Sequence, residues 1–334
     1  MKKIVKYSKS YSDLLGLKKD LYQKNKLYLN EINKVNNLYT KQSRRKKCKN
    51  CNESIDRKLF ISHKVDYSLC NNCGHLNGVY LENKKFLSKI YSDNDGKNYY
   101  PNYSSDFKKR INVIYKPKLK FLKKIIKEKI TITEVGSGAG QLLKACEDLN
   151  IKAEGYETNK KLIGLGLKNL KSNKLLYSDL DSIYKNIIKS KSNTLVLISV
   201  LEHLEDPLKM IRVFKKSKLK YLYICVPLFS FSVLLENVFQ NIYPRVLGGA
   251  HTHLYSKKSL NYLARSNKLK IIGEWWFGAD IPDLFRMLIN SSNYHNKEYE
   301  KILHKTFAST CDDLQKVIDK KNFCAQVHMV LKKN

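Results

Sequence analysis

ITITEVGSGAG, residues 130–140, is the stretch that decides the fold. A β-branched run followed by three alternating glycines is typical of a strand that turns into a helix in a nucleotide-binding α/β fold. The glycines let the backbone approach a ligand closely. Glu157 ends the next apolar run, 21 residues after Gly136, where such folds bind ribose hydroxyls with a carboxylate. The sequence therefore predicts a nucleotide-cofactor site at this turn.

Strand and helix patterns alternate from this turn to the C-terminus, which predicts a mostly parallel sheet in an α/β fold. Asp206 followed by Pro207 predicts a helix start, because aspartate caps helices and proline suits their first position. A helical insert is expected at about residues 276–321. The expected strands are residues 130–135, 151–156, 174–177, 194–199, 219–226, 268–275 and 323–331.

Two Cys-x-x-Cys pairs precede this region: Cys48 with Cys51 and Cys70 with Cys73, with 18 residues between the pairs. This spacing is typical of a zinc site in which four thiolates surround the metal. A site closed by four sulfurs is structural, and it folds a segment that has no core of its own. We therefore predict a small zinc-ribbon-like module at residues 48–80.

The rest of the N-terminal half is polar. Residues 1–47, with 14 lysines and arginines against 3 acidic residues, are predicted to be a basic arm that is helical or partly disordered. Residues 81–128 are predicted to be a helical linker that covers the cofactor site, with Tyr99, Tyr100 and Tyr103 around a polar break.

The net charge of +33 raises the hypothesis of a nucleic-acid partner. However, 55 of the 63 basic residues are lysine, whereas phosphate and base recognition favours arginine. We interpret the charge mainly as solvated surface, with a weak preference for anionic partners as the alternative. No apolar run reaches bilayer length, and the N-terminus lacks a secretory apolar core, so we expect a cytoplasmic protein.

Several segments resemble the motifs of class I S-adenosylmethionine-dependent methyltransferases. ITEVGSGAGQLL resembles their first motif, EGYETN their ribose-binding strand end, and LVLISVLEHLEDP their fourth motif. FCAQVHMVLKK resembles the antiparallel seventh strand of their Rossmann-like sheet. The resemblance covers residues 129–334 and implies a methyltransferase with S-adenosylmethionine as cofactor.

The same resemblance implies roles for individual residues. The glycine turn would surround the methionine part of the cofactor. Glu157 would bind the ribose hydroxyls, and Asp179 with Leu180 would contact the adenine. For Asp179 the alternative is a loop cap. The implied cofactor set is Glu134, Gly136, Ser137, Gly138, Gly140, Glu157, Asp179, Leu180, Ser199 and Val200.

Methyl transfer requires an aligned acceptor, exclusion of water and, for a hydroxyl or carbon acid, removal of a proton. His203, His251 and His253 follow strand ends at the edge where ligands bind, and histidine is the usual base near neutral pH. We favour the region of His253 and Tyr255 as the base. For His203 the alternative is a hydrogen bond at a helix start.

Two further groups are candidates. Glu202 and His203 offer two metal ligands, which do not make a site by themselves. Arg245 is expected either to bind a phosphate or carboxylate of the substrate or to form an ion pair.

A zinc module followed by this core resembles bacterial methyltransferases that act on nucleotide-linked sugars or surface-polysaccharide precursors. In the sugar C-methyltransferases of that group a further C-terminal domain usually follows. The sequence ends at the seventh strand, which leaves O- or N-methylation open. Two alternatives remain: a zinc-containing ribosomal RNA methyltransferase, which the charge favours, and a non-catalytic binding module.

Overall fold

A computed structural model describes residues 2–10, 24–55, 58–83, 86–87, 90, 106–247, 251–291 and 297–334. The strands are β1 (Ile4–Tyr7), β2 (Phe60–Ser62), β3 (Val65–Leu69), β4 (Leu76–Gly78), β5 (Thr131–Val135), β6 (Lys152–Glu157), β7 (Lys174–Tyr177), β8 (Thr194–Ile198), β9 (Tyr221–Pro227), β10 (His253–Leu254), β11 (Leu269–Phe277) and β12 (Gln326–Lys333).

The helices lie mostly between these strands. They are α1 (Asn25–Tyr39), α2 (Phe107–Arg110), α3 (Lys116–Ile125), α4 (Gln141–Asp148), α5 (Lys160–Leu167), α6 (Leu180–Lys189), α7 (Pro207–Lys216), α8 (Phe231–Val238), α9 (Lys257–Ser266), α10 (Asp280–Ser291) and α11 (Lys297–Lys320). A π-helical segment (Ile111–Tyr115) joins α2 to α3, and a 3-10 turn (Leu201–His203) follows β8.

Eight strands form the main sheet, in the order β1-β11-β12-β9-β8-β5-β6-β7. The strands from β9 to β7 run parallel, and β12 is antiparallel to both β9 and β11. The α/β class and the antiparallel last strand predicted from the sequence are therefore confirmed. Because β8 and β5 are central and parallel, their carboxyl ends present the following turns at one edge of the sheet.

Both faces of the sheet are covered, as central parallel strands require. On β8, Leu195 and Leu197 belong to one buried cluster with α7 and α9, whereas Val196 belongs to another with α3 and α4. This alternation follows the two-residue period of a strand. The predicted cap of α7 is confirmed: the Asp206 carboxylate accepts a hydrogen bond from the Lys209 amide at 2.8 Å.

The edge strand β1 is not predicted by the sequence. It pairs in parallel with β11, and the Trp275 indole N–H donates to the Ser8 carbonyl at 2.9 Å. The ammonium of Lys6 lies 3.6 Å from the centre of the Trp275 ring. The first part of the predicted helical arm is thus a strand, while α1 agrees with the helix expected further on.

A second sheet has the strand order β10-β4-β3-β2. Three of its strands, β2, β3 and β4, belong to the segment that contains the two cysteine pairs. Strand β10 comes from far along the chain, and His253 is paired with Asn77 and Leu254 with Leu76. The next residue, Tyr255, is bridged to Leu228 at the end of β9. The segment from His253 to Tyr255 therefore joins the small sheet to the ligand edge of the large one.

The predicted insert corresponds to α10 and α11, which pack against each other. The tyrosine-rich break expected to cover the cofactor site, with Tyr99, Tyr100 and Tyr103, lies outside the described residues. Among the helices of the described ranges, none has both the length and the apolar character needed to cross a membrane.

Candidate functional site

The glycine turn leaves β5 and leads into α4. Gly136, Gly138 and Gly140 all have positive φ, at 72°, 54° and 70°, a region that side chains other than glycine rarely adopt. A Cβ at position 136 would lie 2.8 Å from Cγ2 of Val200. The turn therefore needs glycine for its path and brings Val200 against it.

Buried polar atoms around this turn lack partners. Glu134 is 3% exposed, and its Oε2 has no hydrogen-bond partner among the described residues. Burial raises the pKa of Glu134 to about 8. Both amide atoms of Gln141, at the start of α4, are also unpartnered in the described part of the chain. A cofactor carrying both an ammonium and hydrogen-bonding groups would satisfy these atoms, so the turn fits S-adenosylmethionine.

Hydrogen bonds from the backbone hold the Glu157 carboxylate against the glycine turn. Its Oε2 accepts a hydrogen bond from the Gly138 amide at 2.7 Å. Its Oε1 accepts from the amides of Thr158 and Asn159 at 2.8 and 2.9 Å. A carboxylate oxygen can accept more than one hydrogen bond, so this half-buried group retains capacity for ribose hydroxyls.

The other residues of the predicted cofactor set lie at neighbouring strand ends. The Ser178 amide donates to the Glu157 carbonyl, which places the next residue, Asp179, near Glu157. The Asp179 carboxylate, however, caps α6 by accepting a hydrogen bond from the Ser182 amide at 2.7 Å. Leu180 is exposed beside it. Ser199 has a left-handed φ of 54° at the end of β8. The loop-cap alternative for Asp179 is therefore present in the structure.

A matched pair of glycine variants tests how tightly this turn is packed. A Cβ at Gly155 on β6 would lie 2.2 Å from the Ser137 hydroxyl oxygen, whereas a Cβ at Gly164 on α5 meets nothing within 4 Å. We expect Gly155→Ala to lower the free energy of unfolding by about 1–3 kcal/mol, because the turn must shift. Gly164→Ala should raise it by about 0.5–1 kcal/mol, because alanine favours helix. Urea unfolding of both variants measures the contrast, and equal effects would contradict it.

Three predicted groups converge beyond β8. The ligand atoms of Glu202, His203 and His251 all lie within 4.8 Å of one another, and the two histidine rings are 5.0 Å apart at their centroids. Glu202 is 1% exposed, neither carboxylate oxygen has a partner among the described residues, and burial raises its pKa to about 8. The two histidines are only half-buried.

His253 and Tyr255, favoured as the base from the sequence, are placed differently. Both are 0% exposed. The His253 Nδ1 atom lies 2.8 Å from Nε2 of His75 in the cysteine module (residues 48–80), and burial lowers the pKa of His253 well below its ordinary value. These two side chains lie between the module and the sheet, so an acceptor cannot contact them directly in this conformation.

Arg245 forms an ion pair. Its Nε and Nη2 donate to the two carboxylate oxygens of Asp283, with distances of 2.6–2.9 Å. Asp283 is fully buried, and the neighbouring arginines hold its pKa below the ordinary value although burial opposes them. The ion-pair alternative therefore describes Arg245, and its guanidinium is engaged inside the fold.

The four cysteines converge as predicted. Sγ of Cys48 lies 3.7 Å from Sγ of Cys73, and Sγ of Cys51 lies 3.5 Å from Sγ of Cys70. Four thiolates at 2.3 Å from a tetrahedral zinc ion are about 3.8 Å apart. Amide groups of Asn50 and Asn77 donate to the Cys48 sulfur at 3.4 and 3.5 Å. The cluster is therefore compatible with zinc.

The cysteine module is docked onto the large domain by buried polar contacts. The Lys49 ammonium donates to the Leu204 carbonyl at 2.8 Å, and it also pairs with buried Glu82. The Asn50 amide donates to the Ser259 carbonyl at 3.0 Å, and the Ser256 hydroxyl donates to the Gly74 carbonyl at 2.7 Å. The module thus packs beside the turn that carries Glu202.

Two groups at the site were not singled out by sequence reasoning. Gln141 follows the last glycine of the turn, where position alone could have identified it as lining the cofactor site. The contact of His75 with His253 depends on the docking of two segments far apart in the chain, and no local pattern indicates it.

Solved structures that are similar to this one include methyltransferases. The structure of an S-adenosylmethionine-dependent methyltransferase from Archaeoglobus fulgidus is similar, with 17% identity, a TM-score of 0.45 and coverage of 70% of this chain and 100% of the other. The magnesium protoporphyrin IX methyltransferase from Synechocystis PCC 6803, with bound S-adenosylhomocysteine, has 10% identity and a TM-score of 0.49, covering 75% and 100%. No curated protein matches the sequence.

The family comparison covers the glycine turn, the Glu157 strand end and the Glu202 segment together. The model of the methyltransferase domain family matches residues 107–273, half of the chain. This range runs from α2 through the start of β11. The chain therefore belongs to the methyltransferase domain family, and it is an S-adenosylmethionine-dependent methyltransferase, as its sequence motifs predict.

Proposed function

We propose that the enzyme methylates a nucleotide-linked sugar or a surface-polysaccharide precursor and that a structural zinc ion shapes its acceptor side. The observation that carries the proposal is the docking of the cysteine module against the turn of Glu202. Lys49 reaches the carbonyl of Leu204 from the module, and His253 is paired with Asn77 across the boundary. A module fixed in this position favours a small, enclosed acceptor over a long polymer.

We assign the cofactor-binding roles to the groups around the glycine turn. Glu134 Oε2 would accept a hydrogen bond from the cofactor's ammonium, and Glu157 would accept from its ribose hydroxyls. The glycine turn would admit the methionine part, while Val200 closes one side. When bound, S-adenosylmethionine supplies an electrophilic methyl group. Asp179 is free to contact the adenine only if it leaves its cap on α6, so we rank it below Glu157.

For the acceptor side we assign contact with the substrate to His203 and His251. These two histidines are half-buried, whereas His253 and Tyr255 are fully buried. We therefore propose that His253 and Tyr255 act as positioning residues between the zinc module and the sheet. His203 and His251 hold and orient the acceptor, and a neutral imidazole can take its proton.

The test is an acceptor screen with the zinc-loaded protein and methyl-labelled S-adenosylmethionine. Thymidine and uridine diphosphate sugars form one arm, and ribosomal RNA forms the other. We expect label in the sugar-nucleotide fraction, absent with Glu134→Gln. Label in RNA alone would overturn the sugar proposal and support the alternative that the net charge of +33 favours.

A further inference from the structure

Glu202, His203 and His251 combine the residue types that bind divalent transition metals. Two imidazoles and one carboxylate form the ligand set of several catalytic metal sites, in which further coordination positions stay open. Their ligand atoms lie within 4.8 Å of one another. Ligand atoms about 2.1 Å from a tetrahedral metal are roughly 3.4 Å apart, so the three side chains would have to move closer together to complete the site.

The carboxylate of Glu202 is an independent indication of a missing cation. It is 1% exposed, and both oxygens lack hydrogen-bond partners among the residues that the structure describes. A buried carboxylate without a counter-ion is costly, and a bound cation would relieve that cost.

His251 is oriented as metal-binding histidines are. Its Nδ1 lies 2.8 Å from the Val246 carbonyl oxygen, which fixes Nδ1 as the protonated nitrogen and leaves Nε2 with its lone pair. The backbone of that loop is itself held, because Glu236 accepts from the amides of Val246 and Leu247 at 2.7 and 2.8 Å. The ring is thus positioned before any ligand arrives.

We propose that Glu202, His203 and His251 bind a divalent transition-metal ion, separate from the zinc ion of the four cysteines. The nitrogen and oxygen ligands favour a metal such as Mn²⁺, Co²⁺ or Zn²⁺. Its role rests on the proposed function: the open coordination positions would hold an acceptor oxygen beside the cofactor. With the metal bound, the two histidines act as its ligands and no longer as proton acceptors. The metal would lower the pKa of the coordinated hydroxyl, which would release its proton to water and form a bond to the methyl carbon as the bond from that carbon to sulfur breaks and S-adenosylhomocysteine leaves.

The experiment is a titration of zinc-loaded protein with Co²⁺ and no cofactor or acceptor. Visible absorption and metal analysis after desalting report the added ion. We expect one Co²⁺ per chain beyond zinc, with a spectrum free of the intense thiolate bands of a cysteine site. The variants Glu202→Gln and His251→Asn should each weaken Co²⁺ binding at least about tenfold. His304→Ala, which removes a histidine of α11, should bind as the wild type does.

Thermal unfolding is measured for each variant to show that it is folded. Because His251 is only half-buried, His251→Asn should fold even if Glu202→Gln does not, and it then carries the test. No second equivalent of Co²⁺ in folded wild type would overturn the proposal. Co²⁺ binding that both variants retain at full strength would also overturn it. Because the titration contains no acceptor, its failure would leave the sugar proposal standing, and a failed acceptor screen would leave the metal site standing.

Discussion

Replacing Cys70 with serine is expected to release the zinc ion and unfold the small sheet. A structural zinc site contributes roughly 10–16 kcal/mol of binding energy in zinc-finger peptides, and that energy is folding energy. Cys70 is 2% exposed, and its backbone carbonyl accepts from the Gly74 amide at 2.7 Å in the turn between the second cysteine pair. Loss of this ligand removes both the metal and the geometry of that turn.

The effect should extend into the large domain. Strand β4 lies between β3 and β10, so unfolding it frees the segment from His253 to Tyr255, which is bridged to the end of β9. We therefore expect a lower melting temperature and lost methyl transfer together. The matched control is Cys311→Ser, which replaces another buried cysteine on α11, outside the cysteine module.

Metal analysis and thermal unfolding of the two variants give the result. The zinc content should be the same in the wild type and in Cys311→Ser, and lower by one ion per chain in Cys70→Ser. Wild-type protein that folds without any metal, or two serine variants that melt alike with full zinc, would contradict the structural role.

The second large effect is expected for Glu134→Gln, which should bind the cofactor poorly yet be more stable without it. Burial raises the pKa of Glu134 to about 8 from an ordinary value of 4.5. A carboxyl group with a higher pKa in the folded state binds more protons there than in the unfolded state. Its contribution to stability is therefore complete below pH 4.5 and is lost as the pH rises to 8.

Glutamine has the same shape without this titration. The stability of Glu134→Gln relative to wild type should therefore increase from pH 5 to pH 8, reaching on the order of 3 kcal/mol, and level off above. A charge-assisted hydrogen bond to the cofactor's ammonium is lost at the same time, which should weaken S-adenosylhomocysteine binding by about 10–100-fold.

Thermal unfolding across this pH range, with and without S-adenosylhomocysteine, measures both effects. Glu154→Gln on β6, whose side chain accepts from the Thr133 hydroxyl at 3.1 Å, serves as the control and should keep cofactor affinity. A variant whose stability relative to wild type does not change with pH would refute the buried-carboxylate account. Unchanged affinity in Glu134→Gln would refute its role in the cofactor site.

The central sheet was predictable because its signals are local. The run before Gly136 and the buried stretch of β8 each have the apolar pattern of a central parallel strand, and the Asp206-Pro207 pair marks a helix start. The cysteine cluster was predictable from spacing for the same reason. Each of these features depends on residues close together in the chain.

The remaining features depend on contacts between distant segments. Strand β1 is four residues long in a lysine-rich segment, and its partner β11 begins more than 260 residues later. Strand β10 has only two residues, and its pairing with β4 requires the docked module. That docking also buries His253 and Tyr255, which the sequence pattern could not distinguish from the half-buried His203 and His251.

The most direct test of the central claim is a calorimetric titration of the zinc-loaded protein with S-adenosylhomocysteine. The account predicts micromolar binding at one site per chain. That binding should be lost in Glu157→Ala, because the substitution removes the carboxylate that lies against the Gly138 amide. Folded, zinc-loaded protein that releases no heat with S-adenosylhomocysteine would contradict the cofactor site described at the glycine turn.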